Sequence, residues 1–258
     1  MNDLVPPATP ISPAPPKAPA QLTNMRLAME AMVRLDDPRE GVERMGVLYG
    51  YSGWGKTMAA AYTCDKYDGV FLTANRTWTP GVMLKLLARE LGIEHLERTA
   101  ADRLGQIISA LNSYRRPVVI DEFDQVEHCK WIELIRTIYD ETKVPFLLVG
   151  EESLPAKLQR RQRFHNRIRV HMPAQPCSLP DALVLRDHYC QQAHIAEDLV
   201  AAIVTACNGV TRYIANNLIE AEGEALKRQK STMTLADWGD LPIQSGQVQT
   251  RRQQQAAA

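Results

Sequence analysis

The stretch that decides the fold is Gly50-Tyr51-Ser52-Gly53-Trp54-Gly55-Lys56-Thr57, which matches the pattern G-x-x-x-x-G-K-[ST] at every fixed position. It follows an apolar segment, Val47 to Tyr49, that is typical of a buried strand, and it precedes a helical segment, Met58 to Tyr62. The glycines let the backbone wrap so that its N–H groups and the helix N-terminus face the phosphates of a nucleotide. The motif therefore predicts a phosphate-binding loop; the alternative is a glycine-rich turn with a surface lysine.

This loop predicts how a nucleotide is held. We expect ATP to contact the run from Gly50 to Met58, with Lys56 on the outer phosphates. The hydroxyl of Thr57 is expected to ligate Mg²⁺. ATP and Mg²⁺ are thus the predicted cofactors.

A second motif, Val118-Val119-Ile120-Asp121-Glu122, is an apolar strand that ends in two carboxylates. Adjacent acids at a buried strand tip are costly unless they have a task. Asp121 would hold the magnesium ion through water, and Glu122 would polarise the attacking water as general base. The alternative is a helix N-terminus, where acids are favoured by the helix dipole.

Length and composition limit the class of protein. A chain of 258 residues with 23% charged and 45% hydrophobic residues is an ordinary globular sequence, long enough for one core and a small appendage. The net charge of +0 does not indicate nucleic acid, but the charges are unevenly distributed. Basic residues are concentrated from Lys157 to Arg169, and carboxylates from Asp121 to Glu141.

The five cysteines include no CxxC pair and are interpreted as reduced thiols. The segment from His188 to His194 offers too few ligands for zinc, so no zinc site is predicted. The first residues lack the pattern of a signal peptide, and no apolar run reaches the roughly 18 residues that a membrane span needs. We expect a cytoplasmic protein without a membrane partner.

Strand-like runs alternate with helical stretches and predict an α/β fold, a parallel P-loop sheet covered by helices on both faces. The predicted strands are Gly46 to Tyr49, Val70 to Thr73, Val118 to Ile120, Phe146 to Val149 and Ile168 to His171. After Pro173 the strands are expected to cease, and three helices (180–194, 197–207 and 211–228) form an all-α lid. The predicted divisions are a proline-rich disordered arm (1–20), a nucleotide-binding domain (21–172), the lid (173–240) and a disordered tail (241–258).

Four further segments carry a family resemblance: Val-Ile-Asp-Glu-Phe-Asp (119–124), Phe-Leu-Leu-Val-Gly (146–150), Asn-Arg-Ile (166–168) and Asn-Gly-Val-Thr-Arg-Tyr (208–213). With the phosphate-binding loop, they resemble AAA+ ATPases of the DNA-transposition helper group, over residues 22–230. The resemblance implies ATP hydrolysis, largely sequence-independent binding of double-stranded DNA and self-association into a ring or helical filament. It also implies a transposase as partner, and a bacterial host cell if a phage or transposon encodes the chain.

The resemblance also implies roles for three arginines. Arg212 resembles the sensor-2 arginine, which reaches from the lid to the γ-phosphate. Arg167 resembles the arginine finger that completes a neighbouring subunit's site, and Arg163 is a second candidate. The alternatives are a solvent-facing arginine at a helix start for Arg212 and a solvated basic face for the other two.

Two positions depart from the family's pattern or stay open. The sensor-1 position, commonly a small polar residue, is occupied here by Gly150-Glu151-Glu152-Ser153, so either Ser153 serves, or the sensor is displaced, or hydrolysis is slow. Relatives touch the DNA backbone with a stretch that resembles residues 73–79, which makes Arg76, Thr77 and Lys85 the predicted DNA contacts. An ordinary helix cap at Thr79-Pro80 is the alternative.

Other functions remain open at this stage. A cytoplasmic AAA+ ATPase that acts on a protein complex, of the secretion-associated type, would not depend on DNA. A replicative loader would bind DNA but act on a helicase. A P-loop kinase is disfavoured because Glu122 supplies a carboxylate that activates water. Only the proline-rich arm precedes the first helix, so we expect no sequence-specific reading of DNA.

Overall fold

The structure is a computed structural model, and it describes residues 20–126 and 131–246 of the 258-residue chain. The proline-rich arm, apart from Ala20, and residues 247–258 lie outside the described residues. The predicted alternation of strands and helices is confirmed within them.

Five parallel strands form the central sheet in the order β2-β3-β4-β1-β5. They are β1 (Met45–Tyr49), β2 (Val70–Thr73), β3 (Val118–Asp121), β4 (Phe146–Gly150) and β5 (Ile168–Pro173). Tyr49 pairs with Gly150, and Thr73 pairs with Asp121, so the carboxyl ends of these strands meet at one edge. In open α/β sheets this edge is where ligands bind.

Helices cover both faces of the sheet because the strand residues alternate between two apolar cores. In β3, Val118 and Ile120 face one core, and Val119 faces the other. The first core includes residues of α3 (Pro80–Glu90), α4 (Ala100–Tyr114) and α5 (Ile132–Thr142). The second includes residues of α1 (Thr23–Leu35) and α2 (Lys56–Lys66). The predicted α/β sheet with helices on both faces is confirmed.

Two short helices, α6 (Leu154–Gln159) and α7 (Gln162–His165), lead into β5. The C-terminal region is helical, as predicted, and has an apolar core of its own. Its helices are α8 (Leu179–Tyr189), α9 (Glu197–Ala206), α10 (Thr211–Lys227) and α11 (Leu235–Trp238). The domain boundaries stay a prediction.

Two expectations for this region are wrong. Strands do not cease after Pro173, because β6 (His194–Ile195) pairs in parallel with β7 (Thr232–Met233). Two-residue strands are too short to give an alternating sequence pattern. The helix expected over 180–194 ends at Tyr189, since Cys190 adopts an extended conformation that turns the chain toward β6.

Residues 241–246, which the sequence assigns to the tail, contact α10. The carboxamide of Asn217 on α10 donates to the carbonyl oxygen of Gln244 (2.9 Å) and accepts from its N–H (2.9 Å). In the part of the chain that the structure describes, no helix has the length and apolarity to cross a membrane.

Candidate functional site

The phosphate-binding loop joins β1 to α2 at the carboxyl edge of the sheet. Gly53 (φ 80°) and Gly55 (φ 82°) adopt left-handed conformations, which favour glycine. Gly55 is the N-cap of α2, and no side chain caps this helix. The first N–H groups of α2 are therefore open to an anionic ligand.

Lys56 is held at the centre of the loop. Its Nζ donates to the carbonyl oxygens of Gly50 (2.7 Å) and Tyr51 (2.8 Å). Burial lowers the pKa of Lys56, although the nearby carboxylates, Asp121 and Glu122 foremost, act to raise it. The ammonium group therefore points back at its own loop, and a bound phosphate would compete for these contacts.

The two carboxylates at the end of β3 face the same cavity as Lys56. Asp121 is only 3% exposed, and its Oδ1 accepts from the backbone N–H of Glu122 (2.9 Å). Glu122 is left-handed (φ 55°), a strained conformation for a residue with a side chain, and its Oε2 accepts from Nε2 of Gln125 (3.1 Å). Backbone strain of this kind is common at functional sites, where it holds a side chain such as that of Glu122 in one orientation.

The cavity has a volume of about 560 Å³ and lies between the loop, the strand ends, the first turn of α1, α8 and α10. Ten of the predicted residues line it: Ser52, Gly53, Trp54, Gly55, Lys56, Thr57, Met58, Asp121, Glu122 and Arg212. Gly50 and Tyr51 do not line it. Gly50 lies behind the loop against Ala174 and Trp54, and the exposed ring of Tyr51 packs edge-on against Trp54.

The start of α10 contacts the loop directly. The N–H of Arg212 donates to the carbonyl oxygen of Gly53 (3.3 Å). The side chain of Arg212 is exposed at the cavity, and no hydrogen bond or ion pair engages its guanidinium within the described residues. The guanidinium of Arg212 is therefore placed where it can bind a ligand in the cavity.

Two further acids lie at the site: Glu151 in the sensor-1 stretch and Asp124 in the turn after β3. Glu151 lines the cavity, and its N–H donates to Oδ1 of the buried Asp124 (3.0 Å). A Cβ on Gly150 would lie 2.6 Å from that oxygen, so only glycine fits there. Ser153 does not line the cavity. Sequence reasoning overlooked Asp124, although it stands in the same acidic run as Asp121 and Glu122.

The two finger candidates lie outside the cavity and differ in their surroundings. Arg167 binds Asp140 with both Nε (3.0 Å) and Nη2 (3.1 Å). Arg163 is exposed, and among residues 20–126 and 131–246 its guanidinium has no hydrogen bond or ion pair. Arg167 is thus engaged within its own chain, whereas Arg163 is available to another molecule.

The predicted DNA contacts lie after β2, away from the cavity. Arg76 and Lys85 are exposed. The N–H and the hydroxyl of Thr77 both donate to Oδ1 of Asn75 (2.9 Å each), and Thr79 caps α3. The helix cap named as the alternative is therefore present, together with a turn at Asn75, and Arg76 lies in that turn with its side chain exposed to solvent.

The residues present fit a magnesium nucleotide. Asp121 is a buried carboxylate beside Lys56, and the exposed hydroxyl of Thr57 lines the same cavity. Oxygen ligands of this kind suit Mg²⁺ when nucleotide phosphates supply the others. In the described ranges, no three His, Cys, Asp or Glu side chains come together as a protein-only metal site.

Comparisons with known proteins agree with this arrangement. Residues 39–158 match a family described as AAA domain. No curated protein sequence matches the chain. The fold resembles the Aeropyrum pernix ORC2 protein solved as ADPNP-ADP complexes (TM-score 0.62, 16% identity), with 81% of this chain and 64% of that chain covered.

Two further solved structures share the fold. The Aeropyrum pernix ORC1 protein in complex with DNA has a TM-score of 0.58 and 17% identity, covering 83% of this chain and 63% of that one. The Thermotoga maritima RuvB Holliday junction branch migration motor has a TM-score of 0.57 and 14% identity, covering 82% of this chain and 65% of that one.

These findings define the class of fold: residues 39–158 match the AAA domain, and the chain has the AAA+ P-loop fold. It spans less than two thirds of the length of the three structures that it resembles.

Proposed function

We propose that the chain is an ATPase that binds DNA when ATP is bound. One observation carries the proposal: Lys56, Asp121, Glu122 and Arg212 converge on one cavity at the carboxyl edge of the sheet. Separate parts of the sequence supply these residues, and their chemistry matches a phosphoanhydride with its metal ion.

The proposed roles follow from the geometry. Lys56 releases the loop carbonyls and binds the outer phosphates. Thr57, directly, and Asp121, through water, would hold Mg²⁺, which would supply charge neutralisation. Glu122 takes the proton of the attacking water, and Arg212 binds the γ-phosphate from the lid side. Glu151 follows β4, where a sensor-1 residue is expected, and Asp124 lines the same cavity, so these two acids would keep hydrolysis slow without a partner.

A shared site between subunits is part of the proposal. Arg163 is the better candidate for the arginine that enters a neighbouring site, because it can reach outward without breaking an ion pair. Arg167 would first have to leave Asp140. Self-association into a ring or helical filament would bring Arg163 to a second copy's nucleotide.

Binding to double-stranded DNA is proposed through Arg76, Thr77 and Lys85. The first and last are exposed cations, and the turn at Asn75 fixes the backbone between them and the sheet. Contacts of this type bind phosphates and hold position without reading sequence. The structural similarity to an ORC1 protein in complex with DNA supports the same expectation.

The proposed partner of the DNA-bound form is a transposase, which the ATPase would recruit or stimulate at a target. This step is supported by the family resemblance of the sequence. A second candidate, a replication loader, is favoured by the similarity of the fold to ORC proteins. Stimulation of ATP hydrolysis by a purified transposase or by a replicative helicase distinguishes the two.

Fluorescence polarisation of a labelled random-sequence duplex tests the proposal. We expect binding only with a non-hydrolysable ATP analogue, a steep salt dependence and loss of binding in Lys56→Ala. Arg76→Ala should weaken binding, whereas Arg98→Ala, which removes an exposed arginine from a different loop, should not. Hydrolysis of ATP without DNA binding in any nucleotide state would refute the DNA role and favour a protein substrate.

A further inference from the structure

The first turn of α1 contains a buried side chain that joins two distant segments. Asn24 is 7% exposed, and its Nδ2 donates to the carbonyl oxygens of Trp54 (2.7 Å) and Gln175 (2.8 Å). Its Oδ1 accepts from the N–H of Gln175 (2.8 Å). Both donors and one acceptor site of the carboxamide are thus used, and all on backbone groups.

The two segments meet at the candidate nucleotide site. Trp54 lies in the phosphate-binding loop between its two left-handed glycines. Gln175 lies just past the end of β5, where the chain leaves the sheet for α8. Asn24 therefore fixes the distance between the loop and the connection to the helical region.

The bond to Trp54 also sets the direction of a donor in the loop. In a trans peptide the carbonyl and the N–H point in opposite directions, and the described chain has no cis peptide. Because the carbonyl of Trp54 points at Asn24, the N–H of Gly55 in the same peptide points away from α1. Gly55 lines the cavity, and its N–H is one of the loop donors that we expect to face the phosphates.

The neighbouring residue, Thr23, also joins α1 to the C-terminal region, through two hydrogen bonds. The N–H and Oγ1 of Thr23 both donate to Oδ1 of Asp181 (2.8 and 2.9 Å). Asp181 is a buried carboxylate in the first turn of α8, where it also accepts from Ser178. Consecutive residues of α1 therefore hold the loop, the connection and the first helix of the C-terminal region together.

We infer that Asn24 is a positioning residue for nucleotide binding, which orients the phosphate-binding loop and couples it to the C-terminal helices. The inference rests on the proposed function, since it presumes that the cavity takes ATP. Asn24 lines the cavity, but both of its amide hydrogens are engaged by backbone carbonyl oxygens, so neither is left for a phosphate. It acts through the peptide between Trp54 and Gly55 and through Gln175.

The test compares two buried asparagines with the same bonding pattern. Asn217 is also buried, and its carboxamide also donates to two carbonyls, those of Tyr213 and Gln244, and accepts from one N–H. Its Nδ2 additionally contacts Sγ of Cys207 (3.5 Å). It does not line the cavity. Asn217→Ala is therefore a matched control that removes equivalent bonds without disturbing the loop.

Binding of an N-methylanthraniloyl derivative of ATP is measured by energy transfer from tryptophan, beside the melting temperature and steady-state kinetics. Losing the three hydrogen bonds to Trp54 and Gln175 should raise the Kd of the analogue about tenfold in Asn24→Ala. KM for ATP should rise in parallel, and kcat at saturating ATP should fall less than about threefold. Asn217→Ala should lower the melting temperature similarly and leave Kd within about twofold.

Asn24→Ser keeps a small polar group that cannot reach both segments, and it serves if the alanine variant does not fold. It should raise Kd at least about threefold. If the wild-type chain binds the analogue and the folded Asn24 variant binds it with the same Kd, the inference is overturned and the proposed function is not. An equal rise in Kd in Asn217→Ala would also overturn the inference. If the wild-type chain does not bind the analogue, the proposed function fails and the inference fails with it.

Discussion

Val210 and Gly53 are in van der Waals contact across the two parts of the candidate site. A Cβ built on Gly53 would lie only 2.7 Å from Cγ1 of Val210, the residue before α10. The backbone of Gly53 is also left-handed (φ 80°). The loop and the start of α10 thus pack against each other, and Val210 occupies the space that a side chain at position 53 would need.

The first prediction concerns this contact. Gly53→Ala should destabilise the protein by about 2 to 4 kcal/mol, because the new methyl group meets Val210 and the left-handed backbone is strained. It should also abolish ATP binding at micromolar concentration, since relief of the clash moves the loop or α10. Chemical denaturation and a nucleotide titration measure the two effects.

Gly81→Ala provides the control for that substitution. A Cβ at Gly81 meets no atom within 4 Å, and this glycine lies in the first turn of α3. Alanine there should stabilise by about 0.5 to 1 kcal/mol and leave nucleotide binding unchanged. Full ATP affinity in Gly53→Ala would show that α10 does not pack on the loop in solution.

The second prediction separates the two candidate finger arginines. Arg167→Ala removes both bonds to Asp140 and should cost about 1 kcal/mol of stability. Arg163→Ala should change stability by less than about 0.5 kcal/mol, because the side chain is exposed. ATP turnover by the DNA-bound form should fall about 10³-fold in Arg163→Ala if this residue enters a neighbour's site.

A mixing experiment is the check on that assignment. Arg163→Ala chains with intact nucleotide sites, mixed with Glu122→Gln chains that keep Arg163 and still bind ATP, should recover part of the activity that neither variant has alone. Absence of recovery, together with normal DNA binding, would contradict a shared site. Loss of turnover in Arg167→Ala without loss of stability would reverse the roles of the two arginines.

The third prediction concerns acid stability. Burial acts to raise the pKa of Asp140, but the hydrogen bonds and charge of Arg167, with help from Lys143, outweigh it and hold the pKa below its usual value. A carboxyl group with a lowered folded-state pKa stabilises the protein above its unfolded pKa of about 4. That contribution is lost as the pH falls through the folded-state pKa.

Asp140→Asn should therefore lower the unfolding free energy by about 1 kcal/mol at pH 7 and by less at pH 3. Urea unfolding at both pH values measures the difference. Asp65→Asn replaces an exposed carboxylate that has no side-chain bond in the described structure, and it should have little effect at either pH. Asp140 is also paired with Arg136 and Lys143, so an equal loss for Asp140→Asn at pH 7 and pH 3 would contradict the ion pairs of Asp140 with these three cations.

The sequence predicted those parts of the molecule that depend on local pattern. The loop from Gly50 to Thr57 and the strand that ends at Asp121 can be recognised because their spacing and apolarity are set within a few residues. All five sheet strands were therefore located to within about two residues of their observed bounds.

The parts that sequence reasoning overlooked depend on partners far along the chain. Asn24 is functionally interesting only because Trp54 and Gln175 lie beside it, and Asp124 only because Gly150 leaves room for its carboxylate. A single asparagine or aspartate in an amphipathic segment gives no such signal. The pairing of β6 with β7 was not predicted for the same reason, because the two strands are partners far apart in the sequence.

The last prediction concerns the thiols. Burial raises the pKa of Cys64 to about 11 and the pKa values of Cys177 and Cys190 to about 12, and it also raises that of Cys207. The thiolate is the reactive form, so at pH 8 Cys64, Cys177 and Cys190 should react with a disulfide reagent at least about 10²-fold more slowly than a free thiol, and Cys207 should also react more slowly. The measurement uses Cys129→Ser, because Cys129 lies outside the described residues. In guanidinium chloride all four thiols should react at the free rate, which gives the reference. Fast labelling of Cys177 in the native variant would show that the connection between β5 and α8 opens, and it would count against the tight junction on which the role of Asn24 depends.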